Sequence, residues 1–383
     1  MYLLPKPKTI KEQDGQMLLC HSTHIVMTKE VAETEMHAAK RLQEAIRQET
    51  GLILPFSVGE VREGDLSLGI AKTLPEQTYE ITIDEKGGQI SGGDGAGVLY
   101  GVETFCQIVQ QCGGILPCVQ IQDAPDMPNR GYYFDQTRGR VLKLEELKKI
   151  ADRMCRYKLN QLQLYVEHTY LFRDFSEMWR DQTPLTAEEI LELDSYCRER
   201  HIELVPSLAS FGHLCTLLST KTYGDLCEME DSWKEPFSFW NRMRYHTINV
   251  SDERSLPLIK KMIAEYMQLF SSNKFNICAD ETFCLGKYKS KKLAEERGVH
   301  RLYIDYVKEL AQFLVENGKI PMFWGDIIWN SPELMKELPE SMICLNWGYA
   351  PEQREDETRA IAQTGAVQYL CPGCLLYTSP SPR

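Results

Sequence analysis

The sequence lacks any apolar run approaching the roughly 18 residues that a membrane-spanning helix needs. Its N-terminus, MYLLPKPKTIKEQ, lacks the basic-then-apolar order of a secretory leader, so the cytoplasm is the expected location. Positive charge is also scarce. The chain sets 43 Lys and Arg against 55 Asp and Glu, a formal charge of -12, which argues against nucleic acid or an anionic membrane as partner and favours a neutral substrate. Paired cysteine spacing is missing too. The 13 cysteines are odd in number and scattered, as expected of reduced thiols rather than a disulfide framework, and the CxxC of Cys371 and Cys374 has no second pair to complete a zinc site. His168 and His213 beside Glu167 could be imagined as metal ligands, but no His-x-x-x-His spacing supports them, and neither metal nor cofactor is expected.

What is present is a globular composition, 43% hydrophobic and 26% charged, over 383 residues. That length suits two domains, or one barrel with an appendage. Residues 1–125 alternate short β-rich runs with two helical patterns. MHAAKRLQEAIRQETG reads as an amphipathic helix stopped by Gly51, and TYEITIDEKGGQISGG as a hairpin turned by Gly87 and Gly88. The glycines at 93, 95 and 97 open GGDGAGVLYGVETFCQIVQQ. Their spacing departs from the GxGxxG of a dinucleotide loop, so the expectation is a plain turn feeding a helix. DAPDMPNR, residues 123–130, has the Pro-rich character of a domain boundary.

From Arg130 onward, apolar β-rich runs alternate with helical patterns. The strand candidates are GYYFDQT, QLQLYVE, ELVPSLAS, FNICAD, PMFWGDI, MICLNWG and AVQYLCPG, with helices such as LEELKKIADRMCRYK and RLYIDYVKELAQFLVENG between several of them. Such alternation predicts parallel strands joined by crossovers. The expected fold is therefore α/β: a (β/α)8 barrel of TIM type over 126–373 lacking its last strand, preceded by a small α/β (α+β) domain over 1–125.

In such a barrel the chemistry sits at the C-terminal ends of the strands. Those ends carry Asp135 and Arg138, then Glu167 and His168, then His213 in SFGHL, then Asp280 and Glu281, then Trp324 and Asp326, and finally Trp347 and Tyr349. Of the four adjacent Asp-Glu pairs, only Asp280-Glu281 closes an apolar run, where two charges need a partner, a ligand or shifted pKa values. Alternating strand residues cannot both face the barrel axis, so the strand is expected to end at this pair. That suits an acid catalyst beside a positioning carboxylate better than two carboxylates flanking a bond from opposite faces. Each candidate also has a plainer reading. A strand-end tryptophan or Tyr349 can be core, Arg138 can be a structural ion pair with Asp135, and His213 can cap backbone groups in its loop.

These residues resemble a known family, the β-N-acetylhexosaminidases of glycoside hydrolase family 20, over nearly the whole chain. YEITIDEKGGQISGGDGAGVLYGVETFCQIV is similar to the end of that family's small domain, and RGYYFDQTRGRV to its first barrel strand; YKLNQLQLYVEHTY, FGHL, ADE, FWGD and LNWG follow in the family's order. The resemblance implies exo-acting, retaining, substrate-assisted release of a terminal N-acetylhexosamine, with no protein nucleophile. It implies Glu281 as acid and base, Asp280 as the group holding the acetamido N–H, Trp324 and Trp347 as walls around the acetamido methyl, and Arg138 as the grip on ring hydroxyls. Asp326, Tyr349, Glu167, His168 and His213 are implied in further substrate contacts. The chain departs from the family's His-x-Gly-Gly before the acidic pair, having Asn276, Cys278 and Ala279 there. Two rivals remain: a barrel glycosidase without acetamido assistance, which would need Glu167 as a third carboxylate, and a catalytically silent sugar-binding protein.

The last ten residues, CLLYTSPSPR, are expected to be a non-native tail over 374–383, so that Tyr377 is no acetamido-binding tyrosine. An eighth strand with its loops would then be missing. The chain as written would be poorly soluble and nearly inactive.

Overall fold

A computed structural model describes residues 1–236, 238–350 and 354–373. The expected tail, with Cys374 and Tyr377, lies outside the described residues. The chain divides into two compact units: Met1–Tyr132 with Leu144–Leu162 and Ser195–Glu203, and Tyr133–Lys143 with Gln163–Asp194 and Leu204–Arg383.

The first unit holds a seven-stranded mixed sheet of β1 (Thr9–Leu18), β2 (Ile25–Met27), β3 (Phe56–Val58), β4 (Leu66–Ile70), β5 (Tyr79–Asp84), β6 (Gly87–Gly92) and β7 (Ile115–Asp123). Its order is β1-β7-β5-β6-β4-β2-β3. The helix Met36–Thr50 buries Ala38, Ala39, Leu42, Ala45 and Ile46, the stripe its 3.6-residue period predicts, and stops at Gly51 in the left-handed region. The hairpin β5–β6 differs in detail from expectation. Asp84 pairs with Gly87, so the turn is Glu85-Lys86 and the two glycines open the return strand. Asp84 Oδ1 accepting from the Lys86 amide at 2.8 Å supplies the turn's local bond.

The glycine turn leads into the helix Gly95–Cys112, whose N-cap Asp94 accepts from the Gly97 amide at 2.7 Å, a cap worth about 1 kcal/mol. A Cβ on Gly97 would lie 2.2 Å from the Thr78 carbonyl oxygen. The space before this helix is filled by the chain's own backbone, as a packing turn requires and a phosphate cradle does not.

A buried polar cluster lies in the same unit. Lys158 Nζ donates to the Tyr79 hydroxyl at 2.6 Å and to Asp123 Oδ2 at 3.1 Å, while the Tyr79 hydroxyl donates to Asp123 Oδ2 at 2.9 Å and meets Thr104 Oγ1 at 2.8 Å. Burial lowers the Lys158 pKa, and Asp123 opposes that shift.

The second sheet holds β8 (Gly131–Asp135), β9 (Gln161–Val166), β10 (Glu203–Leu208), β11 (Lys274–Asn276), β12 (Ile320–Trp324), β13 (Ile343–Gly348) and β14 (Val367–Pro372), in simple sequential order. Pairs from β10 to β14 are parallel. All seven strands match the apolar runs of the sequence. Among the described residues no eighth strand joins β14 to β8. Every residue of β9 is buried, as in a sheet covered on both faces, and each of Leu162, Leu164 and Val166 contributes about 1.5–3 kcal/mol by burial. Helices Ala187–Arg198, Ser255–Tyr266, Val299–Glu316 and Glu355–Gln363 supply crossovers, whereas β12 and β13 are joined through 3-10 turns. Residues 209–254 form a long connection with only short helices, among them Phe239–Arg244. Loops of that length in compact domains are usually functional.

Candidate active site

The strand carrying the acidic pair ends earlier than its apolar run suggests. β11 stops at Asn276, because Cys278 and Ala279 take φ values of 57° and 64°, which a strand cannot hold. These are the two positions where the pattern that the sequence resembles would place glycine. Glu281 follows with φ 47° and His213, opposite, has φ 59°. Left-handed backbone at non-glycine residues costs about 1–2 kcal/mol each, so neighbouring bonds must hold it. Asn276 Oδ1 accepts from the Cys278 amide at 2.9 Å, the Tyr303 hydroxyl donates to the Ala279 carbonyl at 3.0 Å, and the Trp324 amide donates to the Cys278 carbonyl at 2.9 Å. Asp326 Oδ2 then accepts from the Glu281 amide at 3.0 Å.

This turn brings both carboxylates to one imidazole. His213 Nε2 lies 3.3 Å from Asp280 Oδ2 and 3.3 Å from Glu281 Oε2. The sequence offers the pair no neutralising neighbour; the fold supplies one from the loop after β10. Burial pulls the His213 pKa down, but Asp280 and Glu281 outweigh it and raise it to about 10, so the ring is an imidazolium at neutral pH. Asp280 is half-buried, which alone would raise its pKa, yet His213 carries it below the usual carboxylate value. Asp326 goes the other way. Burial and repulsion from Asp280 raise it to about 8, leaving a neutral carboxyl whose Oδ1 has no partner among the described residues. One site thus holds a carboxylate, a carboxyl and a cation.

His213, Asp280 and Glu281 present ligand atoms within 4.8 Å of one another, close enough for a metal ion. At neutral pH such an ion would have to displace the proton that the two carboxylates hold on His213.

A second group forms at the ends of β8 and β9. Asp135 Oδ1 accepts from the Thr137 and Arg138 amides at 2.9 Å each, turning the chain so that Arg138 Nε meets Asp135 Oδ2 at 2.6 Å. The Arg138 guanidinium lies 4.7 Å from the Tyr165 ring centroid and 3.8 Å from Glu167 Oε1. The ion pair with Asp135 is real and does not exclude substrate contact. Glu167 is buried; Tyr165 donates to its Oε1 at 3.0 Å and Arg242 to its Oε2 at 3.0 Å. His168 meets Thr216 Oγ1 at 3.2 Å, and burial lowers its pKa against the pull of Glu167.

The aromatic candidates divide. Trp324 is buried with its ring edge-on to Tyr133 at 4.9 Å. Trp347, in β13, and Tyr349, just past the strand's end at Gly348, have ring centroids 5.0 Å apart, and Tyr349 remains 47% exposed. Burial and then the Glu281 charge raise the Tyr349 pKa, while Arg138 opposes. Tyr349 therefore responds to both charge groups. Arg242 and Met243 were not foreseen. Met243 Sδ meets Arg138 Nη1 at 3.1 Å, and both residues come from the helix Phe239–Arg244. The available signal was the aromatic and basic run FWNRMRY in a strandless stretch.

The model of the glycosyl hydrolase family 20 catalytic domain matches residues 128–379, and that of the family's domain 2 matches residues 1–124. The chain belongs to glycosyl hydrolase family 20. A beta-hexosaminidase of Porphyromonas gingivalis is 24% identical over 363 residues, covering 85% of this chain and 45% of that relative. One of Vibrio furnissii is 26% identical over 310 residues, covering 73% and 48%. The chain thus spans less than half the length of these curated relatives. An exo-β-N-acetylglucosaminidase of Vibrio harveyi, solved in complex with N-acetylglucosamine, superposes with a TM-score of 0.79 at 19% identity, covering 97% of this chain and 60% of that one. The family 20 barrel fold is therefore shared. Among the described residues no helix is long and apolar enough to cross a membrane.

Proposed function

We propose that the site releases terminal N-acetylhexosamine from β-N-acetylhexosaminides with retention, using the substrate's own acetamido oxygen as nucleophile. The observation that carries this reading is the occupation of Glu167. A glycosidase with a protein nucleophile needs a free carboxylate across the bond from its acid, and both Glu167 oxygens are held, by Tyr165 and by Arg242. Asp326, raised to about 8, is a poor nucleophile at neutral pH. Asp280, ionised beside His213, would accept the acetamido N–H and stabilise the positive charge that develops as the acetamido oxygen bonds C1. Glu281 would give its proton to the glycosidic oxygen as that bond breaks, then take one from the water that opens the oxazoline at C1. Trp324 and Trp347 would wall the acetamido methyl, and Arg138 would bind ring hydroxyls. The relatives' names and the N-acetylglucosamine bound to the Vibrio harveyi enzyme support the same substrate class. Twelve free cysteines among the described residues support a reducing compartment, the cytoplasm.

Paired aryl glycosides test the reading. Hydrolysis of the N-acetylglucosaminide and not the glucoside is expected, together with far tighter binding of a thiazoline mimic of the cyclised intermediate than of N-acetylglucosamine itself. Equal binding of the mimic and the sugar refutes substrate assistance; equal hydrolysis of the two glycosides refutes the substrate class.

A further inference from the structure

The residues just beyond the acidic pair meet the far end of the helix Phe239–Arg244, beside the proposed acid. Phe283 follows Glu281 by two residues, and its amide donates to the Glu281 carbonyl at 2.7 Å. Cys284 Sγ donates to the Arg244 carbonyl at 3.0 Å, joining the two segments. The Arg244 guanidinium carbon lies 5.1 Å from the Trp240 ring centroid and 5.8 Å from that of Phe283. These rings are left in water, Trp240 65% and Phe283 39% exposed, although each would gain by burial. Among the described residues the Arg244 guanidinium meets no carboxylate and no hydrogen-bond acceptor, whereas Arg47, Arg254 and Arg301 are clasped by acids. The sequence then runs into Lys287, Lys289, Lys291 and Lys292, a basic stretch in a chain of charge -12.

We propose that Trp240, Arg244 and Phe283 form a leaving-group subsite that selects a negatively charged sugar, a uronic acid or a sulfated hexose. The inference rests on the function proposed above, because a general acid stands beside the glycosidic oxygen and the sugar beyond that oxygen must lie on the acid's side. An aromatic ring offers a face for the C–H side of a pyranose. A guanidinium held over two rings keeps its planar fork free for two parallel bonds to a carboxylate or sulfate, and holding it there reduces the entropy lost on binding. This departs from the neutral substrate that the overall charge suggests. The Arg244 guanidinium, which meets Phe283 just beyond Glu281, has the opposite sign from the chain's net charge.

Titration of the chain with methyl β-glucuronide, glucose 6-sulfate and methyl β-glucoside, followed by tryptophan fluorescence, reads the subsite directly. At least one anionic sugar is expected to bind about tenfold more tightly than the glucoside, the size of one charge-assisted hydrogen bond. Which of the two does so identifies the charged group. The preference should vanish in Arg244→Gln, persist in part in Arg244→Lys, and shrink at high salt. Equal binding of charged and neutral sugars overturns the proposal, as does a preference that survives Arg244→Gln. Hydrolysis of N-acetylglucosamine linked β to glucuronic acid should likewise exceed that of its glucose counterpart by about tenfold in kcat/KM. An aryl N-acetylglucosaminide run in parallel separates the two failures. If it is not hydrolysed, a result that the expected lack of an eighth strand would also give, the titration still decides the subsite.

Discussion

The two units each bury a charged cluster, and the two clusters are finished to different degrees. Around Lys158 the circuit is closed: the ammonium, the Tyr79 hydroxyl and the Asp123 carboxylate bond to one another, with Thr104 at the edge. Around His213 it is open. Both ring nitrogens lack hydrogen-bond geometry among the described residues although two carboxylates stand 3.3 Å away, and Asp326 Oδ1 is unanswered. A satisfied network rigidifies; an unsatisfied one costs free energy until a ligand completes it. The first cluster is built for the fold and the second at the fold's expense.

Exchanging damage between the clusters is the strongest way to break this contrast. Glu281→Gln should slow hydrolysis of substrates with poor leaving groups about a thousandfold, spare those with activated leaving groups, and leave the urea midpoint nearly unchanged. Lys158→Met should do the reverse, costing about 3 kcal/mol in urea unfolding because Asp123 loses its counter-ion and keeps only neutral donors, while leaving kcat intact. If both variants move both readouts, the division between the clusters is wrong.

A pH series sharpens the comparison further. The His213 pKa rises from 6.5 in the free side chain to about 10 in the fold, so its stabilisation is fully present below pH 6.5 and fades as pH climbs toward 10. Thermal scans across that range should show a fall in Tm that His213→Gln flattens; a slope unchanged by the substitution would remove the imidazolium from the account. The smallest effect belongs to the backbone. Ala279→Gly relieves a left-handed φ of 64° and should raise stability by about 1 kcal/mol, read as a higher urea midpoint.

Most of the barrel was legible because strands covered on both faces read as unbroken apolar runs, as QLQLYV does in β9. Once those runs are placed, their ends nominate Arg138, Trp324, Trp347 and the acidic pair without further information. Other features were illegible for specific reasons. The early end of β11 depends on left-handed backbone at Cys278 and Ala279, residue types that advertise no such conformation. The function of His213 depends on a loop after a different strand, and adjacency in space leaves no mark on spacing. Arg242 and Met243 sit in a connection without period, where only an unusual density of aromatic and basic residues stands out.

Gly212 gives the site one more property. A Cβ there would lie 2.5 Å from the Asp280 carbonyl oxygen, and that neighbour is backbone, unable to swing aside as a side chain could. The loop that delivers the imidazole and the turn that delivers the two acids are thus separated by the thickness of one hydrogen atom. Over evolutionary time neither segment can drift alone: a larger residue at position 212 has to arrive together with a compensating shift of the acidic turn. The two halves of the charge triad thus share one steric limit, and a change on either side of it is felt on the other.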